Sequence, residues 1–214
     1  MVRFPWVYYA GKEIMRTLLL LLTRWQVNGR ENMPSQGPVL IVANHLNLAD
    51  PPLLSVSLGR RLIFVAKEEL FRSKVIGYFI GNFGSFPVHR GRLNRQALRQ
   101  AHQVLAEGLA LAMFPEGKRS HNTQLQPALL GSALIASHNR SAPILPVGIS
   151  GTERIKGIAW ILHRPQITVN IGSPFHLPPT SGKLTKEELA RLTVFMMERI
   201  GELLPPEYQG NYAG

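Results

Sequence analysis

Pro38-Val39-Leu40-Ile41-Val42-Ala43-Asn44-His45-Leu46-Asn47-Leu48-Ala49-Asp50-Pro51-Pro52 is the stretch from which the rest of this 214-residue chain is read. Its first six residues are apolar without a break and rich in β-branching, the pattern of a strand buried on both faces. A polar cluster follows at once, and Asp50-Pro51-Pro52 opens a helical pattern over 51–58. A buried strand that empties into a polar loop and then a helix is one step of a mostly parallel sheet. In such sheets functional groups gather beyond the carboxyl ends of the strands.

The same alternation continues outward. Apolar extended runs fall at 62–66, 109–114, 142–149 and 166–172, with shorter extended segments at 26–28 and 83–88. Helical patterns separate them at 70–79, 94–107, 127–137 and 186–204. In the second of these, Ala97, Leu98, Ala101, Val104 and Leu105 recur at helical spacing and Gly108 ends the run. The fold expected is α/β, a mostly parallel covered β-sheet flanked by helices. No repeat or low-complexity block interrupts it.

Residues 6–25 form one further helical pattern, with aromatic residues at both ends, five leucines at 18–22, and Lys12, Arg16 and Arg24 interspersed. The uncharged stretch between Arg16 and Arg24 is far shorter than the roughly 20 apolar residues a spanning helix needs. An interfacial helix lying on a membrane fits this composition; a helix packed on the domain's own core is the plainer alternative. The chain is therefore divided into an N-terminal membrane-associating helical segment, 1–26, and a single domain, 27–214.

Lys and Arg number 24 against 13 Asp and Glu, a net charge of +11. That surplus points to a polyanionic partner, whether nucleic acid, anionic headgroups or a phosphorylated substrate. No basic recognition helix or aromatic RNA-binding signature supports nucleic acid. The absence of cysteine removes disulfides, thiolate metal sites and a cysteine nucleophile. The seven histidines include no His-Glu-x-x-His pattern, so no metal site is expected.

His45 and Asp50 are five residues apart, about 140° around a regular helix, so they meet only if the backbone turns between them. Asp50 before Pro51 also reads as a helix N-cap. Both roles are compatible if one carboxylate oxygen caps the helix while the other holds the imidazole Nδ1–H, leaving Nε2 free as a base. A second loop, Phe114-Pro115-Glu116-Gly117-Lys118-Arg119-Ser120, leaves another buried strand with two adjacent cations, either a phosphate clamp or a solvated basic turn. Phe86-Pro87-Val88-His89-Arg90-Gly91 ends an extended segment, and Lys67 follows the 62–66 strand. Pro143-Ile144-Leu145-Pro146-Val147 is apolar throughout.

Taken together, Asn44-His45 with Asp50, Phe86 to Arg90, Phe114 to Ser120 and Ile144 to Val147 resemble the four motifs of the glycerolipid acyltransferase family. Within it they resemble the bacterial 1-acyl-sn-glycerol-3-phosphate acyltransferases. The motifs occur in order over 44–147, with weaker similarity over most of the chain. The resemblance implies that His45 is the general base and Asp50 its partner, with Asn44 on the substrate side. It also implies that Arg90 and Arg119, joined by Lys67, bind the acceptor's phosphate. By the same resemblance Glu116 and Gly117 shape the glycerol site, Lys118 keeps this substrate-binding loop basic, and the Pro146 segment lines the acyl side. Lys118 stands where many members have Thr, and Pro87 and His89 make the second motif a loose match.

The activity so implied is transfer of an acyl group from acyl-CoA or acyl-carrier protein to the sn-2 hydroxyl of lysophosphatidic acid. It needs no cofactor and, with neither Cys nor a Gly-x-Ser-x-Gly elbow, no acyl-enzyme. The anionic membrane surface is the expected partner and the cytoplasmic face of the cell membrane the expected location, occupied without spanning. Rival expectations are another lysolipid, ornithine lipid or glycolipid acceptor, and a non-catalytic basic membrane-binding homologue.

Overall fold

The computed structural model describes all residues except 1–4, 73–76, 78–79, 82–84, 89–94, 181–183 and 213–214, and leaves out the side chains of 5–7, 67 and 70. Seven strands form one sheet: β1 (Arg24–Asn28), β2 (Val39–Ala43), β3 (Leu62–Lys67), β4 (Phe86–Val88), β5 (Ala110–Met113), β6 (Ile144–Ser150) and β7 (Gln166–Ile171). Their order is β1-β7-β6-β2-β5-β3-β4. The helices are α1 (Pro5–Leu22), α2 (Asp50–Ser57), α3 (Arg95–Ala106), α4 (Gly131–His138), α5 (Trp160–His163), α6 (Lys186–Gly201) and α7 (Pro206–Gln209).

Side chains alternate across a strand, and both faces of this sheet are covered. In β2, Leu40 and Val42 pack on one side with Ala97, Ala101 and Leu105 of α3, Ala133 and Ile135 of α4, and Leu192, Met196 and Ile200 of α6. Val39, Ile41 and Ala43 pack on the other side with Leu53, Leu54 and Val56 of α2 and Leu19 of α1. All five β2 residues are buried, which accounts for the unbroken apolar run. At roughly 1.5–3 kcal/mol for each large buried aliphatic side chain, β2 anchors the sheet. α6 starts at Thr185, whose hydroxyl accepts from the Glu188 N–H at 3.2 Å.

Parallel pairing joins β2 to both β5 and β6, β3 to β4 and β5, and β1 to β7. Among the pairs of named strands, β6 and β7 are the antiparallel one, with Ser150 opposite Thr168. β6 ends where β7 begins, so residues 151–165 stay at one end of the sheet instead of crossing back over a face. That end is where β2, β5 and β6 terminate. β1 enters there as well, with Arg24 opposite Gln166, and so the C-terminal end of α1 lies at the same end.

α1 buries Tyr8 and Leu19, with Lys12, Met15 and Leu22 half-buried along the same stripe. Ile14, Leu18 and Leu21, also at helical spacing, remain exposed beside it. The helix thus packs on the domain and still presents an apolar flank. Among the described residues no helix is long and apolar enough to cross a membrane. The expected helix at 70–79 falls largely outside the described residues; Glu68–Arg72 forms a 3₁₀ turn, and Gly77, Ile80 and Gly81 are helical.

Candidate active site

β2 runs out at Ala43, and the next two side chains point to different tasks. Asn44 is 2% exposed, and both ends of its amide are engaged: Nδ2 donates to the Ile149 carbonyl at 2.8 Å and Oδ1 accepts from the Ile149 N–H at 2.7 Å. This clamp extends the β2–β6 pairing by one residue and fixes where the chain leaves the sheet. Asn44 thus holds the chain in place where it leaves the sheet.

His45 follows at the mouth, its side chain 16% exposed. Its Nδ1–H donates to Asp50 Oδ2 at 2.8 Å, and the same oxygen accepts from the backbone N–H groups of Leu46 and Asn47, each at 2.7 Å. An ionised carboxylate only accepts, so this contact calls for a proton on Nδ1, and in the neutral imidazole Nε2 then carries the lone pair. The loop curls around one oxygen, which is how two residues five apart meet. Asn47 supports the curl, accepting from the Ala49 N–H at 3.1 Å, while its Nδ2 donates to the Ile155 carbonyl at 3.1 Å.

The expected sharing of Asp50 between imidazole and helix cap does not occur. Asp50 is itself the first helical residue, Ala49 occupies the cap position, and no side chain caps α2. Fully buried, Asp50 turns Oδ2 back onto the preceding loop, and Oδ1 has no partner among the described residues. The physical reason is geometric. A carboxylate that gathers two loop N–H groups and an imidazole lies on the wrong side of its own backbone to reach the N–H groups of the next turn.

The second loop braces the first. The Phe114 ring stacks on the imidazole, centroids 4.1 Å apart and planes 19° from parallel. The Ser120 N–H donates to the His45 carbonyl at 2.7 Å. Glu116 is 3% exposed; its Oε1 accepts from the His45 N–H and its Oε2 from the Gln126 N–H, both at 2.8 Å. Gly117 closes the turn with φ +66°, its N–H donating to the Phe114 carbonyl at 3.0 Å. Lys118 and Arg119 stand exposed next to it.

The structure thus brings together His45, Asp50, Glu116, Gly117, Lys118 and Arg119. Pro146 is elsewhere, buried inside β6 opposite Val42. Lys67 ends β3 opposite Val88, but its side chain is not described, and Arg90 lies outside the described residues. Sequence reasoning gave no role to Phe114, Asn47 or Gln126. Phe114, ending an apolar strand beside the motif, carried a signal; Gln126, a backbone donor, carried none. Among the described residues no cluster of His, Asp and Glu has metal-ligating geometry.

Burial pushes the Glu116 carboxyl up to about 7, against the opposing pull of the Gln126 and His45 N–H donors. A carboxyl raised on folding contributes stability that is full below its ordinary value of 4.5 and is lost as pH rises through about 7. The urea midpoint of the chain is expected to fall over that window. Glu116→Gln should flatten the fall, since an amide does not titrate. It should also lower stability by about 1–3 kcal/mol, because an NH₂ then faces one of two N–H donors. Urea titrations of both proteins between pH 4.5 and 8 check both effects.

Comparison with known proteins adds an independent finding. The family model described as Acyltransferase matches residues 24–150, more than half of the chain. A 1-acyl-sn-glycerol-3-phosphate acyltransferase of Bacillus subtilis is 28% identical over 92% of this chain and 96% of its own length. One from Streptococcus pneumoniae is 28% identical over 74% of this chain, which spans 61% of that relative. The crystal structure of the 1-acyl-sn-glycerophosphate (LPA) acyltransferase from Thermotoga maritima superposes with a TM-score of 0.67 at 28% identity. The match covers 87% of this chain and 74% of that one.

Proposed function

Because the chain belongs to the acyltransferase family, we propose that it transfers a fatty acyl group from a thioester to the sn-2 hydroxyl of 1-acylglycerol-3-phosphate, giving phosphatidic acid. The observation that carries this reading is the His45–Asp50 contact at the carboxyl end of β2. Nε2 takes the hydroxyl proton as that oxygen attacks the thioester carbonyl of acyl-CoA or acyl-carrier protein. A C–O bond forms, the C–S bond breaks, and the thiolate leaves to be protonated. Asp50 fixes the tautomer and stabilises the imidazolium. General-base help of this kind supplies roughly 10²–10⁴ in rate, and positioning supplies more.

In this reading Lys118 and Arg119, exposed beside the loop that braces His45, meet the acceptor's phosphate, and the family resemblance assigns Arg90 and Lys67 the same task. Glu116 and Asn44 serve by holding the two loops. The named acceptor also rests on what the relatives' names state of those proteins. α1 lets the enzyme take a water-insoluble acceptor from the bilayer plane, on the cytoplasmic face of the membrane.

Thiol release from palmitoyl-CoA or palmitoyl-acyl-carrier protein, measured with and without lysophosphatidic acid, tests the reading. Release that needs the acceptor and yields phosphatidic acid is the expected result. A folded chain releasing no thiol with either donor, or only with a non-phosphorylated lysolipid, overturns it. In the same assay Arg119→Ala should raise the KM for lysophosphatidic acid about two- to fivefold, leaving that for the donor within a factor of about two. A lost charge-assisted pair at an exposed site has roughly that size.

A further inference from the structure

Residues 151–165 join β6 to β7 across the end of the sheet that carries His45. Within them, Ile155-Lys156-Gly157-Ile158-Ala159-Trp160-Ile161-Leu162-His163-Arg164 contains no carboxylate and four large apolar residues besides Ile155. One end of this segment is tied to the loop that forms the candidate site, through the Asn47 amide on the Ile155 carbonyl at 3.1 Å. The other end is tied to α1. Arg164, at φ 42°, turns the chain so that its guanidinium donates to the Leu20 carbonyl at 3.2 Å and the Thr23 carbonyl at 3.4 Å. The Arg24 N–H donates to the Pro165 carbonyl at 2.9 Å.

The segment is therefore a bridge from the mouth of the site to the C-terminal turn of α1, and it is apolar on the outside. Ile158 is 82% exposed and Leu162 84%, with Ile161 exposed between them. At its two anchors Leu48, on the loop between His45 and Asp50, is 65% exposed, and Leu21, on the last turn of α1, 64%. Three chain segments thus present bare aliphatic side chains at one end of the molecule. Isolated exposed leucines are ordinary; a clustered set interleaved with cations is not. Arg24, Lys156 and Arg164 are exposed among them, as are Lys118 and Arg119 beside His45.

Aliphatic tips at headgroup depth, an aromatic among them and lysine or arginine around the rim match the chemistry of an anionic bilayer surface. We propose that residues 155–164 are a second membrane-insertion element, acting beside the C-terminal turn of α1, so that the mouth at His45 opens onto lipid. This rests on the membrane-acceptor reading above and deepens it. α1 alone would leave the rotation of the domain about that helix undetermined. A second point of insertion fixes the rotation, and the hydrogen bond from Asn47 to Ile155 carries that orientation to the loop holding the base.

The full chain with Trp6→Phe and Trp25→Phe keeps Trp160 as its one tryptophan. With vesicles of phosphatidylcholine and phosphatidylglycerol, Trp160 emission should shift to the blue and be quenched by lipids brominated in the acyl chain. Ile158→Asp with Leu162→Asp alters only exposed positions. It should weaken vesicle binding by at least about tenfold, the scale of withdrawing two aliphatic side chains from an apolar phase. Turnover of vesicle-borne acceptor should fall in step, while turnover of a monomeric short-chain acceptor stays at the wild-type rate. Unquenched Trp160 in vesicle-bound protein, or unchanged binding by the double variant, overturns the proposal. A chain dimer abolished by the double variant, with no quenching, also overturns it and makes this face a contact between copies. Binding and quenching are read without turnover. A chain that inserts Trp160 but releases no thiol therefore supports the surface and overturns the transferase reading.

Discussion

His45→Ala should remove acceptor-dependent thiol release almost entirely, with kcat falling by at least about 10³ and the KM for the acyl donor changing little. The imidazole, held by Asp50 through Nδ1, is the group proposed to take the hydroxyl proton. Its removal takes away the base contribution of roughly 10²–10⁴ and the contact that orients the attacking hydroxyl. The fold should survive. The side chain sits at the rim, and the loop keeps the Leu46 and Asn47 donors on Asp50 Oδ2, the Ser120 contact to the residue-45 carbonyl and the Glu116 contact to its N–H. Circular dichroism and urea unfolding separate loss of chemistry from loss of structure. A well-folded variant retaining more than a tenth of wild-type turnover would remove His45 from the mechanism.

Asp50→Asn is expected to cost nearly as much activity, and unlike the first substitution it should also cost stability. Two amide orientations are available, and neither suits the site. With the amide oxygen at the Oδ2 position, the three donors from His45, Leu46 and Asn47 keep an acceptor, but an NH₂ is buried where Oδ1 has no partner among the described residues. A buried donor left unsatisfied costs about 1–3 kcal/mol. The reverse orientation sets an NH₂ against three N–H donors. It also drives the imidazole to the tautomer protonated on Nε2, which can no longer accept the hydroxyl proton. In both, the negative charge that stabilises the imidazolium is gone. We expect kcat to fall by about 10²–10⁴ with a lowered urea midpoint. Turnover unchanged at a lowered midpoint would make Asp50 a structural residue of the loop and nothing more.

The sequence by itself determined the strands, most of the helices between them and the position of the two loops that carry His45 and Glu116. The reason is that each depends on local information. An unbroken apolar run such as 39–43 can satisfy its surroundings only inside a covered sheet, and helical spacing such as that of Ala97, Ala101 and Leu105 leaves one face to bury. The His45 to Asp50 contact was legible for the same reason, since every donor to Asp50 Oδ2 lies within six consecutive residues.

What only the tertiary structure decided depends on partners 70 to 110 residues away, most of them backbone groups that look alike in any sequence. Glu116 on the His45 N–H, Asn44 on Ile149 and Asn47 on Ile155 are separated by 71, 105 and 108 positions. Those contacts made Asn44 and Glu116 braces of the two loops, and exchanged the expected cap role of Asp50 for a threefold acceptor. The antiparallel return of β7 was decided in the same way. Nothing in 151–165 announces that it stays at one end of the sheet, yet that choice places the C-terminal turn of α1, the bare aliphatic residues and His45 together. Local patterns fix which surfaces must be buried; only the closing of distant segments on one another fixes which groups are left to meet.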